Sequence, residues 1–121
     1  MKKILVVEDN KTNQRLTSSL LKKKGWEVKI AANGKEAVQT LKVEAFDLVL
    51  MDIQMPEMDG FQAVGEIRKC KETASLPIIA FTSDVVEGVD KETYLKAGMD
   101  DYLEKPVDKK IFYSTIEKYI N

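Results

Sequence analysis

A chain of 121 residues, 44% hydrophobic and 32% charged, has the size and balance of one ordinary globular domain spanning 1–121. Its net charge of −1 gives no basic footprint for nucleic acid or an anionic membrane. No run approaches a membrane span, the four apolar residues behind Met1-Lys2-Lys3 are too few for a signal peptide, and a single cysteine fits the cytoplasm, the expected location.

Short apolar runs alternate with amphipathic stretches five times. Residues 3–7 are continuous and mostly β-branched, as expected of a strand buried on both faces. A helix follows over 12–24, with Leu16, Leu20 and Leu21 on one face, Lys22-Lys23-Lys24 as a solvated end, and Gly25 as the residue just past it. Residues 26–31 alternate, Trp26, Val28 and Ile30 against Glu27 and Lys29, which predicts a more exposed strand near an edge. Asn33-Gly34 opens a second helix carrying Ala37, Val38 and Leu41. Residues 47–52 form the third strand and 60–71 the third helix, with Phe61, Val64 and Ile67 inward and Cys70 packed on the same helix. The fourth strand is 77–81. A thin apolar stripe within 85–97, interrupted by Gly88 and ended by Gly98, predicts the fourth helix. A short fifth strand over 101–104 precedes a closing helix over 108–120, with Phe112, Ile116, Tyr119 and Ile120 on one side.

Strands alternating with helices on short links predict an α/β fold, a doubly wound five-stranded parallel sheet with five helices. In such sheets ligands bind beyond the carboxyl ends of the strands. Glu8-Asp9, Asp52, Thr82 and Lys105 all stand at or just after such ends. Four of the five strands therefore bring a polar group to one edge.

Three carboxylates there repel strongly: two unit charges about 5 Å apart at an effective dielectric of about 20 cost roughly 3 kcal/mol. They call for a hard divalent cation, and Mg²⁺ suits them because it binds through one or two carboxylates while keeping waters and phosphate oxygens. Asp9 and Asp52 are the expected direct ligands, Glu8 a ligand through water, and the Gln54 carbonyl a further donor. The plainer alternative is that Glu8 and Asp9 only cap the next helix. Asp52 can attack phosphorus to give an aspartyl phosphate, with Lys105 and the Thr82 hydroxyl holding phosphoryl oxygens. Taken singly, Thr82 is a β-branched strand end and Lys105 a solvated lysine. The isomer of the Lys105-Pro106 bond is open from sequence.

The runs Val7-Glu8-Asp9-Asn10, Met51-Asp52-Ile53-Gln54-Met55-Pro56-Glu57-Met58-Asp59-Gly60, Phe81-Thr82 and Ala97-Gly98-Met99-Asp100-Asp101-Tyr102-Leu103-Glu104-Lys105-Pro106 resemble the receiver domain of two-component response regulators, from residue 3 to about 120. The wording around Asn10-Lys11-Thr12-Asn13-Gln14 is most similar to receivers of hybrid histidine kinases and phosphorelays. The resemblance implies a flavodoxin-like sheet of strand order 2-1-3-4-5, an order taken from known members of the family and not from the spacing of this chain. It implies a phosphoprotein, not an enzyme beyond self-phosphorylation and autodephosphorylation. Asp52 would accept a phosphoryl group, in the presence of Mg²⁺, from a phosphohistidine on a histidine kinase or phosphotransfer domain. Thr82 and Lys105 would read the phosphoryl state, Tyr102 would move as a switch, and Pro106 would shape the last loop. The absence of histidine fits a chain that receives.

Docking of the donor is expected on the first helix around Asn13, Gln14 and Thr17 and on the Lys105-Pro106 loop. Output to a downstream protein is expected on the fourth helix, fifth strand and last helix. The chain is expected to be monomeric, with dimerisation on phosphorylation left open. Ser83 replaces the family's usual alanine, and Asp84 adds a carboxylate near the mouth of the site. Three competing readings are a haloacid-dehalogenase-type phosphatase, a flavodoxin-like cofactor binder, and a docking module that is never phosphorylated. Gln54 stands where the first needs an aspartate, and Glu8-Asp9 would repel the phosphate of the second.

Overall fold

The computed structural model describes residues 1–52, 60–82, 91–104 and 108–120, with Thr82 and Lys91 as backbone only. Five strands, β1 (Lys3–Val7), β2 (Glu27–Ala31), β3 (Leu48–Met51), β4 (Ile78–Thr82) and β5 (Asp101–Glu104), form one parallel sheet in the order β2-β1-β3-β4-β5. The helices are α1 (Lys11–Lys22), α2 (Gly34–Val43), α3 (Gly60–Lys69), α4 (Lys91–Lys96) and α5 (Lys109–Ile120).

Alternation along the central strands divides the core in two. Leu5, Val7, Val49, Met51, Ile78 and Ala80 face α2, α3 and α4, meeting Ala37, Val64, Ile67 and Tyr94. Ile4, Val6, Leu48, Leu50, Ile79 and Phe81 face α1 and α5, meeting Leu21, Phe112, Ile116 and Ile120. Burial on both faces explains why β1 and β3 read as unbroken apolar runs. Strand β2 lies at the edge with Glu27 and Lys29 exposed, as its alternation indicates.

Several element ends shift by one or two residues, and three details of the helices differ from the sequence reading. In α1 the inward line runs through Thr17 and Leu21, both buried, whereas Leu16 is 61% exposed. A single position rotates a helical side chain by about 100°, so the roles expected of Leu16 and Thr17 are exchanged. Gly25 adopts the left-handed region (φ 81°), but two residues beyond the C-cap Lys23 and so one later than expected. Helix α3 stops at Lys69, leaving Cys70 beyond its end and half-buried, before a 3-10 turn at Lys71–Thr73. There the Thr73 hydroxyl donates to the Ile67 carbonyl at 2.6 Å, satisfying a helix-end acceptor that a further turn of α3 would have taken.

The end of α4 follows its sequence signal. Gly98 (φ 105°) donates to the Leu95 carbonyl and Met99 to that of Tyr94, the paired bonds of a Schellman closure. The part of the expected fourth helix before Lys91, with Gly88, lies outside the described residues.

Strand β5 is anchored to α5 by Tyr119, whose hydroxyl is 3.1 Å from both the Asp101 carboxylate and the Asp100 carbonyl. Burial, the hydrogen bond to Asp101 and the charges of Asp101 and Asp100 push its hydroxyl from 10 up to about 12. The folded state thus holds this proton after the unfolded chain has lost it. The stabilisation is complete below about pH 10 and falls as pH rises toward about 12. Tyr119→Phe should flatten urea-denaturation stability across that window. An unchanged alkaline slope would contradict this account.

Candidate functional site

Register places the acidic residues. Val7 pairs with Ala31 on one side and Met51 on the other, so the residues following β1 and β3 leave the sheet at the same level. The ladder then runs one step further: the Glu8 N–H donates to Ala31 and the Asp52 N–H to Val7, each at 3.0 Å. Glu8, Asp9 and Asp52 consequently present carboxylate oxygens within 4.8 Å of one another. Glu8 is buried, Asp52 half-buried and Asp9 exposed, which opens the cluster to solvent on one side.

Capping accounts for neither Asp9 nor the approach of Asp52 to this pair. Asn10 is the N-cap of α1, its side chain accepting from the Asn13 N–H at 2.9 Å. The Gln14 amide donates to the Glu8 carbonyl at 2.7 Å, and the Asn10 N–H lies 3.4 Å from the Glu8 carboxylate. The helix start therefore holds the Glu8 backbone in place while Glu8 and Asp9 face the strand edge. Neither tether was foreseen. Asn10 directly before a helix was a legible cap signal, whereas the Gln14 bond needed the turn geometry.

All ligand atoms in this cluster are oxygens and carry negative charge, the donor chemistry that suits Mg²⁺. An open groove of about 640 Å³ between α1 and β2 is lined by Gln14, Arg15, Ser18, Ser19, Lys22, Lys23 and Ile30, with no carboxylate among them. It lacks the donor chemistry that marks the acidic edge.

Of the remaining expected residues, Thr82 ends β4, opposite Glu104 of β5. Its side chain, together with Gln54, Lys105 and Pro106, lies outside the described residues, as do Ser83 and Asp84. Tyr102 stands on β5 opposite Ala80, half-buried and stacked on Tyr94 of α4 with ring centroids 5.5 Å apart.

A flavodoxin-like α/β domain with a cluster of acids at the carboxyl edge of its sheet is the class that fold and site define. Within that class, the sequence pattern of the response regulator receiver domain matches residues 4–117, and the chain belongs to that family. It is 42% identical over 125 residues to hybrid signal transduction histidine kinase I of Dictyostelium discoideum, a match covering 98% of this chain and 7% of that protein. It is 37% identical, with a TM-score of 0.90, to the receiver domain of sensor histidine kinase PA1611 of Pseudomonas aeruginosa, which has a magnesium ion coordinated in its active site cleft; 98% of this chain and 97% of that one are covered. The response regulator TrrA of Thermotoga maritima, in complex with Mg²⁺ and BeF, is 32% identical with a TM-score of 0.87, covering 98% and 99%. The chain spans 7 to 14% of the length of the first curated kinases it matches.

A receiver domain is a phosphoacceptor module of two-component signalling, not a turnover enzyme. That membership sets aside the phosphatase and cofactor-binder readings. No helix among the described residues is long and apolar enough to cross a membrane.

Proposed function

We propose that residues 1–121 act as one cytoplasmic receiver domain in which Asp52 takes a phosphoryl group from a phosphohistidine of a histidine kinase or histidine phosphotransfer domain. An Asp52 oxygen attacks phosphorus, the P–N bond breaks with its electron pair kept by the imidazole nitrogen, and that nitrogen takes up a proton from solvent. The single observation that carries this reading is the three carboxylates within 4.8 Å of one another at the strand edge. Asp9 and Asp52 would hold Mg²⁺ directly, Glu8 through water, and the Gln54 carbonyl would add a donor. The ion supplies charge neutralisation between the attacking carboxylate and the phosphoryl oxygens. Lys105 and Thr82 contact those oxygens on the far side, Pro106 shapes the Lys105 loop, and Tyr102 follows the change at Thr82. The output face is α4, β5 and α5, passing the state to a downstream protein.

The match to segments of much longer kinases supports a receiver carried within a hybrid kinase; a stand-alone regulator is the other form the same module takes. Incubation with acetyl phosphate and Mg²⁺ should add one phosphoryl mass to the wild type and none to Asp52→Asn. Equal labelling of both proteins, by intact mass, would refute the assignment.

Donor docking falls on the exposed side of α1. Thr17 is buried and cannot meet a partner, while Leu16 and Arg15 face solvent beside Asn13 and Gln14. Leu16→Glu should slow transfer from a phosphorylated phosphotransfer domain by about tenfold or more, with acetyl phosphate labelling unchanged. Equal transfer rates would move the docking face elsewhere.

A further inference from the structure

Tyr94 was not singled out by the sequence, yet it occupies the centre of a three-ring column. On one side it stacks on Phe61 in the first turn of α3, with centroids 6.0 Å apart and planes 3° from parallel. On the other side it stacks on Tyr102 of β5 at 5.5 Å and 24°. Tyr94 is only 2% exposed, while both outer rings are half-buried and pack against the core at its margin. The column joins three elements: the first helix after Asp52, the helix of the proposed output face, and the strand of the proposed switch residue.

Among the described side chains of α4, Tyr94 alone is buried, while Leu95 is 45% exposed. The same ring therefore both seats α4 on the core and touches Tyr102. Burial first, and then the nearby Tyr102 and Glu104, raises the Tyr94 hydroxyl above its ordinary value of 10, so the ring stays neutral throughout the working pH range.

We infer that Tyr94 is a positioning residue for the switch: clamped between Phe61 and Tyr102, it holds Tyr102 in its resting orientation and so sets how readily the domain enters its phosphorylated conformation. This rests on the proposed role of Tyr102 and adds a restraint from α3 that does not pass through Thr82. A ligand shifts a two-state equilibrium only through a difference between the states. Removing a contact made in the resting state alone therefore favours the other state and tightens apparent binding of a phosphoryl mimic. One aromatic stack corresponds to about a three- to tenfold change.

The test uses beryllofluoride with Mg²⁺ and 3-fluorotyrosine labelling, Tyr102 being assigned by its phenylalanine variant. Tyr94→Leu should move the Tyr102 fluorine resonance toward its beryllofluoride position before any mimic is added. It should also lower the beryllofluoride midpoint by about three- to tenfold, whereas Tyr94→Phe, which keeps the ring, should match the wild type. Phe61→Leu, which removes the outer ring and spares α4, should shift both readings in the same direction by less. A lower Tm with resonance and midpoint unchanged in both leucine variants would make the column merely structural and overturn the inference. So would Tyr94→Phe behaving like Tyr94→Leu. If beryllofluoride leaves Tyr102 unmoved in a wild type whose Asp52 still accepts phosphate from acetyl phosphate, the switch role fails and the inference with it; loss of that labelling would instead indict the Asp52 assignment.

Discussion

Asp9→Asn is expected to raise the thermal midpoint of the metal-free protein and, at the same time, to abolish the stabilisation that Mg²⁺ gives the wild type. Both effects have one origin. Glu8, Asp9 and Asp52 hold carboxylate oxygens within 4.8 Å of each other, and at that spacing two unit charges repel by roughly 3 kcal/mol at an effective dielectric of about 20. Asp9 is the exposed member, so solvent and salt screen its share and the gain in Tm should be a few degrees. Added sodium chloride should shrink the gain further. In the wild type, a ligand that binds only the folded state stabilises it by about 2.7 kcal/mol at a hundred times its dissociation constant. Asparagine keeps the shape of Asp9 but removes the charge that attracts the ion, so this increment should vanish. Thermal melts followed by circular dichroism, in EDTA and in Mg²⁺, read both quantities. A variant less stable in EDTA that still responds to Mg²⁺ would show that the cluster is not a cation site.

That opposition between stability and binding explains why the site could be read from sequence. Folding alone gives no reason to gather Glu8, Asp9 and Asp52, so their positions after two apolar runs stood out against the rest of the chain. The parallel sheet was equally legible, because β1 and β3 are buried on both faces and show it as unbroken hydrophobicity. The phase of α1 was not. Leu16 is more apolar than Thr17, and hydropathy assigned it to the core, but the buried line follows Thr17 and Leu21. Which turn of a short helix faces inward is decided by its entry, here the Asn10 cap and the Gln14 bond to Glu8, and one-residue errors are invisible to periodicity. Tyr94 was missed for a related reason. Its partners, Phe61 and Tyr102, are distant in sequence and become neighbours only through the crossovers.

Arg68→Met should be the most destabilising single change among the described polar residues, by about 3 kcal/mol, or roughly 10 °C in Tm. No motif announced this residue. Its Nε donates to the Gly98 carbonyl at 2.9 Å, and Nη1 reaches the carbonyls of Thr73, Ala74 and Leu76 at 3.0, 3.2 and 2.7 Å. Nη2 pairs with the Asp100 carboxylate at 3.0 Å, and that same carboxylate oxygen accepts from the Ile78 N–H at 2.8 Å. One guanidinium thus ties the end of α3 to the approach to β4 and the turn into β5. Its side chain is 20% exposed, which keeps the cost near the lower end for breaking a buried pair. Methionine retains much of the stem but removes the donor these acceptors share, although Asp100 keeps the Ile78 N–H and the Thr73 carbonyl keeps the Leu76 N–H. Lysine, lacking the planar fork, should recover only part of the loss. Urea denaturation gives the comparison, and a loss below about 1 kcal/mol in Arg68→Met would show that water replaces the fork. Gly98→Ala provides the matching cycle. An added Cβ there would lie 3.1 Å from Val64 Cγ1 and 3.3 Å from Arg68 Cγ, at a φ of 105° that side chains rarely adopt. The contact with Arg68 is shared between the two changes, whereas the backbone strain and the Val64 contact are not. The double variant should therefore lose less than the sum of the singles, yet more than either alone.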